Sequence, residues 1–159
     1  MSMIIDGTNG LTFNNATTQA SAGCVLQVVN ATYSTETSSS TSTYADTGLT
    51  ATITPKFSTS KILVLVNQSG VRKSAANTWV GIQLQRNGSS IVQIETTGGY
   101  TNEATPNGVA SSSTSYLDSP ATTSSVTYKT QFNSGQNLAT TYVQVNNTTS
   151  TITLMEIAG

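Results

Sequence analysis

The sequence is poor in charge and contains no histidine. Of its 159 residues only 8% are charged, and the net charge is -1, whereas an average soluble protein is about 25% charged. The six basic residues are scattered along the chain rather than grouped. They form no stripe able to neutralise a run of phosphates, so we expect no nucleic-acid binding.

The sequence also lacks the residues that usually bind metal ions. The single cysteine, Cys24, cannot form an internal disulfide, and without histidine the chain lacks the ligands of an ordinary zinc site. The acidic clusters that suit calcium are also missing. We expect no metal and no cofactor, and we interpret Cys24 as a small buried apolar residue.

Catalysis lacks its usual residues as well. Activation of a serine, threonine or cysteine nucleophile needs a neighbouring base, and only lysine or a carboxylate could serve here. Glycoside hydrolysis needs two carboxylates facing each other across a cleft, and the spacing of the seven acidic residues nominates no pair. Asp118, in YLDSP, is interpreted as a turn former. The chain is therefore predicted not to be an enzyme.

The first residues, MSMIIDGTNGLTFNNATTQASAG, raise the question of a targeting signal. They have no basic n-region, and their longest apolar run, residues 3–5, is too short for a secretory h-region. No segment approaches the ~20 apolar residues of a membrane span. We therefore expect synthesis in a cytoplasm and no membrane partner. With a targeting signal excluded, the first 23 residues are either a disordered tail or an arm that becomes ordered on another surface.

What the sequence does contain is strand pattern. Helix formers are sparse, and Thr, Ser, Asn and Val dominate. In residues 45–53, Leu49, Ala51 and Ile53 alternate with polar residues and are predicted to share one face. The same holds for Val126, Tyr128, Thr130 and Phe132.

Two further stretches are informative. Residues 61–66, KILVLV, are apolar at consecutive positions, which is typical of a strand covered on both faces. Asn87 and Gly88 separate two alternating runs and predict a hairpin with a type I′ turn.

The whole pattern predicts an all-β fold: a jelly-roll-like β-sandwich of about nine short antiparallel strands. We assign residues 24–159 to this knob domain and residues 1–23 to an extended N-terminal docking arm. The arm carries only sparse apolar residues, Ile4, Ile5, Leu11 and Phe13. They are too few to build a core but could dock in a groove or against a foreign sheet edge.

Aromatic residues give a candidate binding surface. Trp79, Tyr100 and Tyr116 could stack on sugar rings, but for Trp79, which opens a strand, we expect rather that it plugs the core or a subunit contact. The stretch 97–108 is the candidate receptor-facing loop. Its candidate residues are Tyr100, Asn102, Glu103 and Asn107.

Several stretches resemble a known class of protein. The arm resembles the "GLTF…TTQ" segments of bacteriophage fibre and appendage proteins. TSTYADTGLTATITPKFSTSKILVLV, TSYLDSPATTSSVTYKTQF and STITLMEI resemble the small jelly-roll knobs on phage virions, especially those of cyanophages. The resemblance implies a structural or attachment role and assembly as a trimer.

Self-association has a physical rationale too. Neutral Thr- and Ser-rich strands lack the charges and prolines that usually protect exposed sheet edges from pairing with other molecules. Assembly into a closed cyclic oligomer would bury those edges without forming filaments. The number three comes from the resemblance alone.

The leading hypothesis is a non-enzymatic virion surface protein, a homotrimeric decoration or cement protein bound through its arm to the major capsid protein or another virion component. A capsid position is favoured over a fibre because the chain has no heptad or collagen-like shaft and its arm can reach about 80 Å at most. The alternative is a receptor-binding knob of a tail fibre that contacts host surface glycans. A secreted carbohydrate-binding domain of a cell is a third possibility.

Overall fold

The computed structural model describes the chain except for residues 1–3, 7–9, 13–17, 20–24, 103–106 and 137. For residues 4–6, 10–12, 18–19, 107 and 109 only the backbone is described. The strands are β1 (Ile4–Asp6), β2 (Gly10–Thr12), β3 (Thr18–Gln19), β4 (Val25–Tyr33), β5 (Thr37–Ser39), β6 (Ala45–Ile53), β7 (Lys61–Lys73), β8 (Val80–Arg86), β9 (Ser89–Gly98), β10 (Asn107–Asp118), β11 (Val126–Ser134), β12 (Thr141–Val143) and β13 (Ser150–Ile157). A 3₁₀ turn covers Val145–Asn147.

The N-terminal stretch contains a small sheet of its own. Strands β1, β2 and β3 pair antiparallel in that order, with Ile5 opposite Leu11 and Leu11 opposite Gln19. The stretch expected to be an extended arm is therefore not one continuous extended segment. Phe13 and Cys24 lie outside the described residues.

The body is a jelly roll. In the six-stranded sheet, β4, β13 and β7 are neighbours and β10 pairs with the other edge of β7, while β12 and β5 continue the sheet beside the last residues of β7. The four-stranded sheet has the order β6–β11–β8–β9. Apart from the short strands β5 and β12, the body therefore consists of two four-stranded antiparallel layers, β4–β13–β7–β10 and β6–β11–β8–β9. Except at the β8–β9 hairpin, the chain passes from one layer to the other between successive strands of these layers, which is the jelly-roll architecture. The predicted β-sandwich is confirmed, with ten strands in the described residues of the body.

Local sequence explains the strands. Leu49, Ala51 and Ile53 are buried while the threonines between them are exposed, which confirms the predicted alternation. The β8–β9 connection is the expected two-residue turn: φ is 48° at Asn87 and 87° at Gly88, and Arg86 pairs with Ser89. Two successive positive φ values are what a type I′ turn requires.

The space between the sheets holds two apolar clusters separated by polar side chains. The larger cluster is Leu49, Ala51, Ile53, Ile62, Val64, Val66, Leu84, Val126, Tyr128, Ile152 and Leu154. The smaller is Val71, Val80, Ile82, Phe132 and Val143. Buried polar residues lie between the two clusters, on strands that contribute to them or lie beside them. We call these residues the polar belt: Thr47, Gln68, Thr130, Gln144 and Ser150.

The sandwich has two distinct ends. At one, which we call the arm end, Val25 pairs with Ile157 beside Lys61, so this is where the chain enters the body after the N-terminal stretch. The opposite loop end carries the connections that follow β4, β7, β9 and β11. Backbone hydrogen bonds join these connections: Ser134 N to Thr41 O (2.9 Å), Ser74 N to Thr140 O (2.9 Å), Asn77 N to Thr101 O (2.8 Å) and Gly135 N to Trp79 O (2.9 Å).

Candidate functional site

Tyr100, the centre of the candidate receptor-facing loop, lies at the loop end. Its side chain is 48% exposed, and its hydroxyl donates a hydrogen bond to Asn77 Oδ1 at 3.2 Å. Its ring meets that of Trp79 edge-on, with 5.9 Å between the centroids and 61° between the planes. A half-exposed aromatic ring held from two sides is a suitable stacking platform for an apolar ligand face.

A buried lysine holds the base of this loop. Lys73, the last residue of β7, is fully buried, and its Nζ donates to Thr101 O (3.2 Å) and Thr101 Oγ1 (2.5 Å). Because a buried ammonium group is costly unless it is hydrogen-bonded, these bonds restrain the loop where it leaves the sandwich.

The other predicted loop residues have different positions. Asn102 is exposed, and Glu103 lies outside the described residues. Asn107 is the first residue of β10 and pairs with Lys73, so its assignment to the loop was wrong. Strand β10 starts earlier than its sequence suggests, because Ser, Ala and Gly give no clear alternation.

Trp79 packs at the loop end rather than in either apolar cluster. It is half-buried, and its indole lies so close to Gly135 that a Cβ there would be 2.0 Å from the ring. Trp79 therefore requires glycine at position 135. The expectation that Trp79 plugs the core is not what the structure shows.

A groove of about 540 Å³ lies beside the loop end, between β7, the irregular start of β10 and the 3₁₀ turn. Arg72 lines it, with the guanidinium carbon 4.6 Å from the centre of the Tyr142 ring. The Arg72 Nε is buried and has no hydrogen-bond partner. Sequence reasoning missed this groove because only strand pairing brings Arg72 next to Tyr142 and Gly108.

Asp118 is not merely a turn former. It is buried, and its two carboxylate oxygens accept hydrogen bonds from Arg86 Nη1 at 2.8 and 2.9 Å. The Tyr128 hydroxyl also donates to it at 2.6 Å. Burial, followed by the hydrogen bond to Asp118, raises the pKa of Tyr128 far above its ordinary value.

Glu156 is a second buried carboxylate, with no exposed surface. It accepts hydrogen bonds from Gln27 Nε2 (2.5 Å) and from the Lys56 backbone N–H (2.7 Å). Burial raises its pKa, but the donors around it, Ser60 first and then Gln27 and the Lys56 and Phe57 backbone, outweigh burial and lower the pKa below its ordinary value.

The remaining described acidic side chains also have structural partners. Asp46 pairs with Lys129 at 2.8 Å, Glu95 Oε1 accepts the N–H groups of Thr96 and Thr97, and Glu36 accepts the N–H of Asn146. Within the part of the chain that the structure describes, no group of three or more potential ligands (His, Cys, Asp or Glu) could hold a metal ion. Nor does that part contain a helix long and apolar enough to cross a membrane.

Comparisons with known proteins give one structural likeness to report. No protein-family model matches the chain, and no curated protein matches it. Among solved structures, the infectious bursal disease virus VP2 subviral particle is similar with a TM-score of 0.46 and 12% sequence identity. The match covers 84% of this chain and 33% of that chain. Our chain thus spans about a third of the viral protein's length, and a likeness of this degree carries no argument about function.

Proposed function

We propose that this protein is a non-enzymatic structural component of a bacteriophage virion: a homotrimeric knob that decorates the capsid surface. The N-terminal stretch, residues 1–23, is its anchor to the major capsid protein or a neighbouring virion component. The phage assignment and the number of copies rest on the sequence resemblance. Jelly rolls are common in viral capsids and in lectins, so the fold suits this function without requiring it.

The observation that carries the proposal is that the chain enters the sandwich at one end and the exposed loops lie at the other. The chain enters the body at Val25, at the arm end, while Tyr100 and the connections joined to it lie at the opposite end. A knob anchored through residues 1–23 would therefore sit with its arm end on the shell and its loops pointing outward.

The chemistry of the described residues supports a non-enzymatic role. Asp118 and Glu156 are buried in the sandwich and accept hydrogen bonds from neighbouring residues. Asp46 is paired with Lys129. A glycoside hydrolase would instead need two carboxylates free to face a substrate across a cleft.

Anchoring through three weak contacts would be effective if the copies are joined. Once one arm has docked, the other two bind at a high effective concentration, so the trimer is retained far longer than a single copy would be. Mechanically, such a knob bridges neighbouring coat subunits.

The proposal predicts that the arm is needed for incorporation but not for folding. A variant lacking residues 1–23 should remain folded and trimeric yet be absent from purified particles. The single substitution Ile5→Asp should reduce incorporation at least tenfold, because it places a charge among the few apolar residues of the arm. Leu138→Asp is the matched control, since Leu138 is exposed on the body.

Electron microscopy of particles with a labelled knob locates the protein. Label over the shell, together with incorporation lost in the arm variants and retained in the control, is the expected result. Label confined to the tail would contradict the capsid position, and normal incorporation of the truncated protein would contradict the role of the arm.

A second candidate is a receptor-binding knob for host surface glycans. Two features at or beside the loop end favour it: the half-exposed Tyr100 ring and the groove lined by Arg72. Under this function, soaking with neutral and acidic oligosaccharides should give millimolar or tighter binding that is weakened by Tyr100→Ala. Absence of binding at millimolar ligand would exclude it.

A further inference from the structure

An apolar row crosses the outer face of the six-stranded sheet. Val28 is opposite Met155, Met155 is opposite Leu63, and Leu63 is opposite Leu117. The row therefore runs through β4, β13, β7 and β10 at one level. Side chains at directly paired positions on neighbouring strands point to the same face.

The described residues leave this row open to solvent. Val28 is 54% exposed and Leu117 is 53% exposed, whereas Leu63 and Met155 are half-buried by their neighbours. Leu65, one level further along β7, is 38% exposed. The apolar run at 61–66 predicted a strand covered on both faces, but within the described part of one chain only its inner face is covered.

The same face carries very little charge. Between Lys61 and Arg72, the outward positions on these four strands are neutral in the described residues. Toward the loop end, beyond the apolar row and Leu65, they hold small polar side chains: Asn30, Thr32, Asn67, Ser113, Ser115, Thr151 and Thr153. A neutral face does not repel a copy of itself, and it offers no charge by which to select a different partner.

The size of the face is adequate for self-association. Four strands about 4.8 Å apart and about eight residues long give roughly 19 × 26 Å, or about 500 Å². Two such faces together approach the roughly 1,000 Å² expected of a specific interface. Three such faces, each about 19 Å wide, could also enclose a threefold axis as the sides of a triangular prism, and each face would then lie about 5.5 Å from the axis. Packed sheets are ~10 Å apart, so a face normally lies about 5 Å from the midplane of its contact, and the prism has nearly the same spacing.

We infer that the outer face of the β4–β13–β7–β10 layer is the surface through which copies of this chain meet. The inference deepens the proposed function, on which it rests only for the number of copies. Burial of Val28, Leu63, Leu117 and Met155 between copies supplies the apolar contact that one chain leaves open.

The test introduces charge into the row. Val28→Lys and Leu117→Lys, separately, should weaken self-association at least tenfold, because each places an unpaired ammonium group at the contact. Phe57→Lys is the matched control: Phe57 is 56% exposed but lies in the connection after β6, off this face. Mass is measured by light scattering and sedimentation over a range of concentrations, and circular dichroism verifies folding.

We expect the wild type and Phe57→Lys to assemble under conditions in which both row variants are monomers. A wild type that is monomeric at ~100 µM, or row variants that assemble normally, would overturn the inference. So would assembly that survives in both row variants but is lost when residues 1–23 are deleted, because the arm would then be the contact. A dimer instead of a trimer would support the face as the contact and contradict the number of copies. If the protein assembles as expected but does not join virus particles, only the proposed function is contradicted.

Discussion

Glu156 illustrates how this weakly charged protein uses its few carboxylates. A buried carboxylate without partners would be protonated or would destabilise the fold. Here the Gln27 side chain and the Lys56 backbone N–H donate to it, and together with the nearby Ser60 side chain and Phe57 backbone they favour the ionised form and lower the pKa. The interaction links β13 to β4 and to the connection after β6.

This residue gives a pH prediction. Because the folded-state pKa of Glu156 is below its ordinary value of 4.5, its stabilisation is complete above pH 4.5 and is lost as the pH falls through the folded-state pKa. Glu156→Gln should lower the free energy of unfolding at pH 7 by about 2 kcal/mol. The difference from the wild type should shrink below pH 4.5, as measured by urea unfolding at a series of pH values. A difference that is independent of pH would refute this assignment.

Single residues were the hardest part to predict from sequence. The position of Asp118 two residues before Pro120 suggests a turn, and nothing local indicates that Arg86 and Tyr128 lie within hydrogen-bond reach. Those partners come from β8 and β11, which only the folded sheets bring together. The same reason hides Arg72 and its groove.

Among the elements, β13 connects the polar belt. Its first residue, Ser150, is fully buried, and Ser150 Oγ lies within hydrogen-bond distance of Gln68 Nε2 (2.9 Å), Gln144 Nε2 (3.0 Å) and Ser69 N (2.9 Å). Across the interior, Thr130 Oγ1 donates to Gln68 Oε1 at 2.8 Å. The belt thus joins the two sheets through side-chain hydrogen bonds.

Removal of this hydroxyl should be costly. Ser150→Ala leaves buried donors without an acceptor, at about 1–3 kcal/mol for each unsatisfied group. We expect the free energy of unfolding to fall by about 3 kcal/mol in urea denaturation, with little change for Ser58→Ala, whose side chain is in an exposed connection. Equal effects of the two substitutions would show that the belt contributes nothing.

The strands themselves were predictable where their alternation is apolar against polar. In β6 and β11 the buried positions are those expected from sequence. Strand β7 extends to Lys73, well beyond its apolar run, because Gln68 and Lys73 are buried polar residues that satisfy their hydrogen bonds inside. Periodicity of hydrophobicity cannot detect inward positions that are polar.

At the level of the whole molecule, the sandwich was predictable but its strand order was not. The outer partner of β13 is β4, so residues near opposite ends of the sequence lie side by side, as Val25 and Ile157 do. Such pairing is decided by packing over the full chain rather than by local propensity. The two ends of the sandwich, on which the proposed orientation depends, follow from that order.

The polar belt makes the interior a structure of two compartments. Ile94 packs against both apolar clusters, and the buried hydrogen-bonding residues elsewhere separate them. A substitution that leaves a cavity beside Phe132 should therefore change the packing mainly at the loop end, and one beside Leu154 mainly at the arm end. The reason is that distant sites with few shared neighbours act almost independently. Sequence change can therefore remodel the loop-end half of the sandwich while the arm-end half keeps its packing.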